Sequence, residues 1–229
     1  MSAPLAFDYF SDLLCIWAYV GQVRLDEVEQ RFGDRVRVDQ RFVSVYGDVE
    51  GRIRAQYGEN HGARAAYADR VREVAAGFAH ARVSPRVFRE VVPRTSNMGH
   101  LALCGLRIAA QRGQLDGSEH SLLGRAVRSL RLAFFEDARD IGQLPVVLDV
   151  LGELGIVRGP IQRAIDDGAA MAALSADFKQ VEAQKIVGSP TYVLDGGREK
   201  LFGNVGYRII EANLHELLER ESPKGASWC

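Results

Sequence analysis

The chain has 229 residues, 47% of them hydrophobic and 26% charged, with a formal net charge of -1. That is enough chain for one large domain or two small ones. A balance so near neutrality provides no basic field for a nucleic acid or an anionic membrane, and the apolar runs fall well short of the roughly 18 residues that a membrane span requires.

The opening MSAPLAFDYFSD lacks a basic start and puts Asp8 and Asp12 where a signal peptide needs its apolar run. The cysteines, Cys15, Cys104 and Cys229, are odd in number and widely spaced, which reads as free thiols in a reducing compartment and not as a disulfide framework. A cytoplasmic location is the expectation. LAFDYFS (Leu5–Ser11) alternates weakly and is rich in aromatics, which predicts a strand. From Cys15 to Phe32 the apolar residues Ile16, Tyr19, Val20, Val23, Val28 and Phe32 recur near helical spacing, and Gly33 closes the helix. RVRVDQRFVSV then alternates as a second strand, so the chain opens with a βαβ unit.

Between Gly47 and about Ala170 the pattern is helical, with no convincing strand. Helices are predicted over ARAAYADRVREVAAGFAHA, over TSNMGHLALCGLRIAAQRG behind a Thr95/Ser96/Asn97 cap, over SEHSLLGRAVRSLRLAFFEDARD, and over PVVLDVLGELG with Pro145 near its start. A further helix, MAALSADFKQVEAQK, leads back into β character. PTYVLDGGREKLFG reads as a hairpin turning at Asp195-Gly196-Gly197, and VGYRIIEANLHELLER closes the fold as an amphipathic helix ahead of a polar tail. The order predicts an α/β domain, residues 1–46 and 171–229, interrupted by an all-helical insertion, residues 47–170.

Two positions carry chemistry. Cys15 falls where strand gives way to helix, beside free backbone N–H groups and the positive end of the helix dipole, both of which favour thiolate and lower a thiol pKa. The alternative is a small buried hydrophobe, the usual state of a free cysteine. In GSPTYV, Pro190 stands at the start of a strand whose ladder it cannot join. Such a proline is either an ordinary trans residue or a cis one in a tight turn.

In this order, DLLCIWAYVG and GSPTYV resemble the DsbA-like branch of the thioredoxin superfamily, the group that includes cytosolic DsbA proteins and 2-hydroxychromene-2-carboxylate isomerases. Asp12, Cys15, Trp17, Tyr19 and Gly21 match that branch's Asp-x-x-Cys-Pro-Trp-Cys-Tyr-x-Gly stretch, and FFEDARDIGQLPVVLDVLGELGI is similar to its helical insertion. The resemblance implies a thioredoxin-like core with an all-helical domain inserted after the second strand. It also implies Cys15 facing a cis Pro190, with the backbone of Ser189 pairing with bound peptide or glutathione. Trp17 would line the groove, its alternative being core packing.

Two departures qualify this. Ile16 replaces the motif's proline, and Ala18 replaces the second cysteine. A two-cysteine enzyme releases its mixed disulfide by attack of the second sulfur, and Ala18 has none. Cys15 can therefore form a mixed disulfide, but an outside thiol must resolve it. Cys104 lies mid-helix on an apolar face, and its spacing from His100 supplies too few ligands for a metal, so no metal site is expected. Cys229, the final residue, is a remote candidate for the resolving thiol.

Three functions follow. The first is a monothiol, DsbA-like thiol–disulfide oxidoreductase acting through Cys15 on a small-molecule thiol or a protein disulfide, with glutathione as possible co-substrate and no tightly bound cofactor. The second is a glutathione-dependent isomerase or transferase of the 2-hydroxychromene-2-carboxylate isomerase or kappa-class type. That group's Gly-Ser-Asp-Arg stretch reads FGNVGYR here, so Val205 cannot hold an ammonium group, though Asn204 remains able to bind a carboxylate. The third is a binding protein that has lost turnover. No nucleic-acid or membrane partner is expected, and a homodimer through an apolar helix face is left open.

Overall fold

The structure is a computed structural model and describes residues 3–59 and 62–219. Strand β1 (Leu5–Ser11) leads into helix α1 (Ile16–Phe32), which ends at Gly33 with φ of 51°, a left-handed conformation that glycine adopts without a Cβ penalty. Strand β2 (Val36–Phe42) pairs parallel to β1 along its whole length, from Leu5 opposite Val36 to Ser11 opposite Phe42. The expected βαβ unit is therefore formed, although β2 stops three residues before Val45.

Among the described residues six helices follow: α2 (Val49–Tyr57), α3 (Ala63–Ala76), α4 (Asn97–Gln111), α5 (Glu119–Phe135), α6 (Leu144–Glu153) and α7 (Arg158–Asp166). The long helix α8 (Ala169–Ala183) follows, then β3 (Thr191–Leu194), β4 (Glu199–Phe202) and α9 (Tyr207–Glu219). Strand β3 runs antiparallel to β1, and β4 antiparallel to β3, so the described sheet has the order β2-β1-β3-β4. The predicted hairpin turn at Asp195–Gly197 forms, with Asp195, Gly196 and Gly197 all at positive φ.

The expectation missed α2 and α7 because both are short and polar on average; tertiary packing, with Val49 and Ile53 or Ile161 and Ala164 turned inward, makes them helices. The helix expected to run on towards Ser84 stops at Ala76 instead, where Gly77 and the turn around Phe78 take over. The boundary expected at residue 170 falls inside α8. That helix packs on α4 and α7 and also on β2, serving the helical layer and the sheet together.

The sheet is covered on both faces. On one side, Phe7, Tyr9, Val38, Tyr192 and Leu194 meet Leu25, Val28 and Phe32 of α1 and Ile210, Leu214 and Leu217 of α9. On the other, Phe10, Val43 and Val193 meet Ile186 and Val181 at the end of α8. The largest core lies among the inserted helices and reaches back to Leu13, Leu14, Ile16 and Val20, so the start of α1 is held by both layers. No helix among the described residues is long and apolar enough to cross a membrane.

Candidate functional site

The turn between β1 and α1 is built around Asp12. Its buried carboxylate accepts hydrogen bonds from Leu14 N (2.9 Å), Tyr46 N (2.9 Å) and Ser96 Oγ (2.8 Å). Three donors from separate parts of the chain fix where α1 begins. The Asp12 amide in turn donates to Ser189 Oγ at 2.9 Å, which ties that turn to the loop before β3. Leu13 N donates to Nε2 of buried His100 at 3.3 Å. Burial pushes the His100 pKa down, consistent with a neutral acceptor there.

Cys15 is the N-cap residue of α1, one position before the first helical residue, and is only 4% exposed. Its Sγ donates to the Ser189 carbonyl at 3.3 Å, and the Ser189–Pro190 peptide bond is cis. Residues 174 apart in sequence thus meet at one sulfur. The expectation of a lowered thiol pKa does not hold. Burial pushes the Cys15 thiol up; Ser189 and the Ala18 and Trp17 amides pull it back without overcoming that cost, and the nearby Asp12 charge adds to it. No side-chain cap bond closes at Cys15, so the helix end gives the sulfur less than its position promised. Ser189 has two roles: its carbonyl accepts from the S–H form, whereas its hydroxyl proton, with the oxygen already accepting from Asp12, is free to favour the thiolate.

Cys15, Ile16, Trp17 and Ser189 line one cavity of about 500 Å³, together with Val45, Tyr46, Arg52, Tyr67, Val187 and Phe202 among others. Trp17, at 37% exposed, belongs to the cavity wall and not to the core. Val187 (80%) and Phe202 (56%) extend an apolar rim beside it. Ala18 is fully buried behind the cysteine, and Pro190 abuts the site through its cis bond without lining the cavity. Asn204 does not line the cavity either; its Oδ1 accepts from Arg24 Nη1 of α1. Cys229 lies outside the described residues. Cys104 is fully buried in α4 and does not line this cavity, and burial pushes its thiol to about 12. Among the described residues no three His, Cys, Asp or Glu side chains converge to hold a metal ion.

Sequence reasoning missed the far wall of the cavity. Asp48 caps α2 by accepting from Gly51 N, and that helix presents Arg52 over the Tyr46 ring, 4.7 Å from its centroid. The Tyr46 and Tyr67 hydroxyls are hydrogen-bonded to each other. Burial raises both phenols, and the nearby Cys15 charge adds to each. The available signal was the Asp-x-x-Gly start of α2, a capping pattern that marks a helix directly after β2.

A model of the DSBA-like thioredoxin domain matches residues 6–215. None of the curated proteins matches the chain by sequence. Among solved structures, a Nitrosomonas europaea protein assigned as a protein disulfide isomerase is 15% identical, covering 96% of this chain and 100% of its own, with a TM-score of 0.74. The cytosolic disulfide reductase DsbM from Pseudomonas aeruginosa, also known with GSH, is 18% identical over 93% of this chain and 100% of its own, with a TM-score of 0.65. A 2-hydroxychromene-2-carboxylate isomerase is 16% identical over 95% of this chain and 98% of its own, with a TM-score of 0.64. Such identities speak for the fold alone. Because the domain match takes in every strand and the helices inserted between them, the chain belongs to the DSBA-like thioredoxin domain family.

Proposed function

We propose that this protein is a single-cysteine thiol–disulfide oxidoreductase. The Cys15 thiolate attacks one sulfur of a disulfide RS–SR, a Cys15–S–SR bond forms, and RS⁻ leaves. An external thiolate then attacks the mixed disulfide, regenerates the Cys15 thiolate and departs as the new disulfide, so electrons and sulfurs balance over the cycle. The observation that carries this reading is the meeting of Cys15 Sγ and the Ser189 carbonyl at the edge of an open cavity. Ala18 supplies no second sulfur, so the resolving thiol comes from outside the motif, and in this reading from solution. Glutathione, as a co-substrate and not a bound cofactor, fits that role, and a reducing cytoplasm would supply it. The cytosolic reductase DsbM, similar in fold, gives this reading further support.

One observation favours a second reading, a glutathione-dependent isomerase or transferase. Burial raises the Cys15 pKa, which keeps the sulfur protonated near neutrality and able to donate a hydrogen bond, as a hydroxyl would. In that role Cys15 holds the thiolate of a bound glutathione and forms no bond to it. Exchange between Cys15 and a small disulfide, followed by mass spectrometry in wild type and Cys15→Ser, separates the two. The oxidoreductase loses turnover in Cys15→Ser, whereas the isomerase retains a substantial share of its activity through the serine hydroxyl.

A further inference from the structure

Ionisable side chains line the cavity at Cys15 unevenly. Arg52 and Arg70 face it and no carboxylate does. Arg70 sits at the rim and is committed to Glu73, one turn further along α3, at 2.7 Å. Arg52 is different. It is half-buried, its Nε is buried without an acceptor, and its charge answers to burial, Tyr46 and Tyr67. The acidic neighbours on its own helix and the following turn are taken elsewhere, Glu50 by Arg64 and Glu59 by Arg54. A guanidinium that is partly withdrawn from water and lacks a carboxylate among the described residues is an incomplete ion pair.

The two phenols beside it are also incomplete. A bond between two hydroxyls uses one of their two protons, so the Tyr46–Tyr67 pair keeps one O–H to offer. A planar fork of N–H donors with a phenol alongside suits one ligand chemistry, a carboxylate.

We propose that Arg52, with the Tyr46–Tyr67 pair, is a carboxylate subsite of the Cys15 cavity, and that the substrates are small thiols or disulfides carrying a carboxylate a few bonds from the sulfur. This rests on the reading of Cys15 as the exchanging sulfur. The cavity of about 500 Å³ suits a small molecule, and Arg52, Cys15 and Ser189 all line it. The apolar rim of Trp17, Val187 and Phe202 then shields the reacting sulfurs from water.

The test uses two disulfides of matched reactivity, 3,3′-dithiodipropionate with a carboxylate on each arm and bis(2-hydroxyethyl) disulfide with none. Formation of the Cys15 mixed disulfide is followed for both by mass spectrometry, and the readout is the ratio of the two second-order rates. Wild type is expected to prefer the dicarboxylate by about tenfold to a hundredfold, the scale of a charge-assisted pair. In Arg52→Gln the ratio falls to near one, and in Arg52→Lys it recovers in part. Arg54→Gln, on the same helix but exposed and paired with Glu59, retains the wild-type ratio. A wild-type ratio near one, or a preference that survives Arg52→Gln, overturns the subsite. If neither disulfide reacts at Cys15, the exchange reading fails, and the subsite is then judged by calorimetry with the unreactive thioether 3,3′-thiodipropionate. Binding that is weakened at least tenfold in Arg52→Gln upholds the subsite, and binding that is equal in the two proteins, or missing from wild type, removes it.

Discussion

The two buried thiols of this molecule sit in regions built from similar materials. Both are nearly inaccessible, Cys15 at 4% and Cys104 at 0%, and burial raises the pKa of each. Both lie near a buried carboxylate that gathers several donors. Beside Cys104 it is Asp177, which takes Arg107 through two contacts of 3.1 and 2.9 Å while Arg107 also donates to the Gln40 carbonyl. Beside Cys15 it is Asp12, which takes two backbone amides and a hydroxyl. The difference lies in what the donors secure. Asp177 locks helix α4 to α8 and to the edge of β2, and the thiol is sealed in. Asp12 locks three loops, and between those loops a cavity opens onto the sulfur. Accessibility of the atom does not distinguish the two thiols; the opening beside Cys15 does.

The largest expected effect separates the two cysteines outright. Cys15→Ser lowers disulfide exchange by at least about 10³-fold, the scale of losing a nucleophile, whereas Cys104→Ala leaves the rate constant unchanged. Stopped-flow assays with both variants check this, and exchange that falls with Cys104 would erase the distinction. Next, Asp177→Ala leaves Arg107 buried without its counter-charge and destabilises the fold by about 3–5 kcal/mol in denaturant melts. Exchange per folded molecule is unchanged, because the lost pair lies in the sealed region. Asp12→Asn costs less, about 1–3 kcal/mol, since one acceptor oxygen becomes a donor facing another donor. It also slows exchange, because the turn carrying Cys15 and its tie to Ser189 loosen together.

Ala18→Cys restores a second sulfur behind Cys15. The expected result is release of the mixed disulfide without added thiol, at a packing cost of about 1–3 kcal/mol, since Ala18 is fully enclosed. The smallest effect is in the pH dependence. A raised folded-state pKa means that the folded protein keeps its proton where the unfolded chain has lost it, so stability falls as pH rises. For Cys104 the contribution is complete below an ordinary thiol pKa of about 8.5 and is lost as pH climbs through about 12. Cys104→Ala should flatten the alkaline fall in stability. For Cys15 the same direction makes exchange faster with rising pH, with no plateau by neutrality.

The fold was legible because its signals are local. Alternation in Leu5–Ser11, helical spacing from Ile16 to Phe32, and the Asp195-Gly196-Gly197 turn each lie within one element. Cys15 and Pro190 were legible as a pair because their order along the chain carries the family resemblance. What escaped depends on where elements meet. The thiol pKa was misjudged because a helix-end effect is visible in sequence whereas the burial that outweighs it is not. That Asn204 lies outside the cavity and accepts from Arg24, 180 residues earlier, is likewise written in no sequence pattern. Arg52 was one arginine among many until α2 folded over Tyr46.

The central claim is that Cys15 makes a covalent mixed disulfide that the chain cannot release alone. Its most direct measurement is intact-protein mass spectrometry after incubation with a small disulfide, before and after desalting and before and after addition of glutathione. The account predicts one adduct per chain, mapped to Cys15, stable after desalting and lost on addition of glutathione. An adduct mapped elsewhere, or one that disappears from Cys15 without any external thiol, would contradict it.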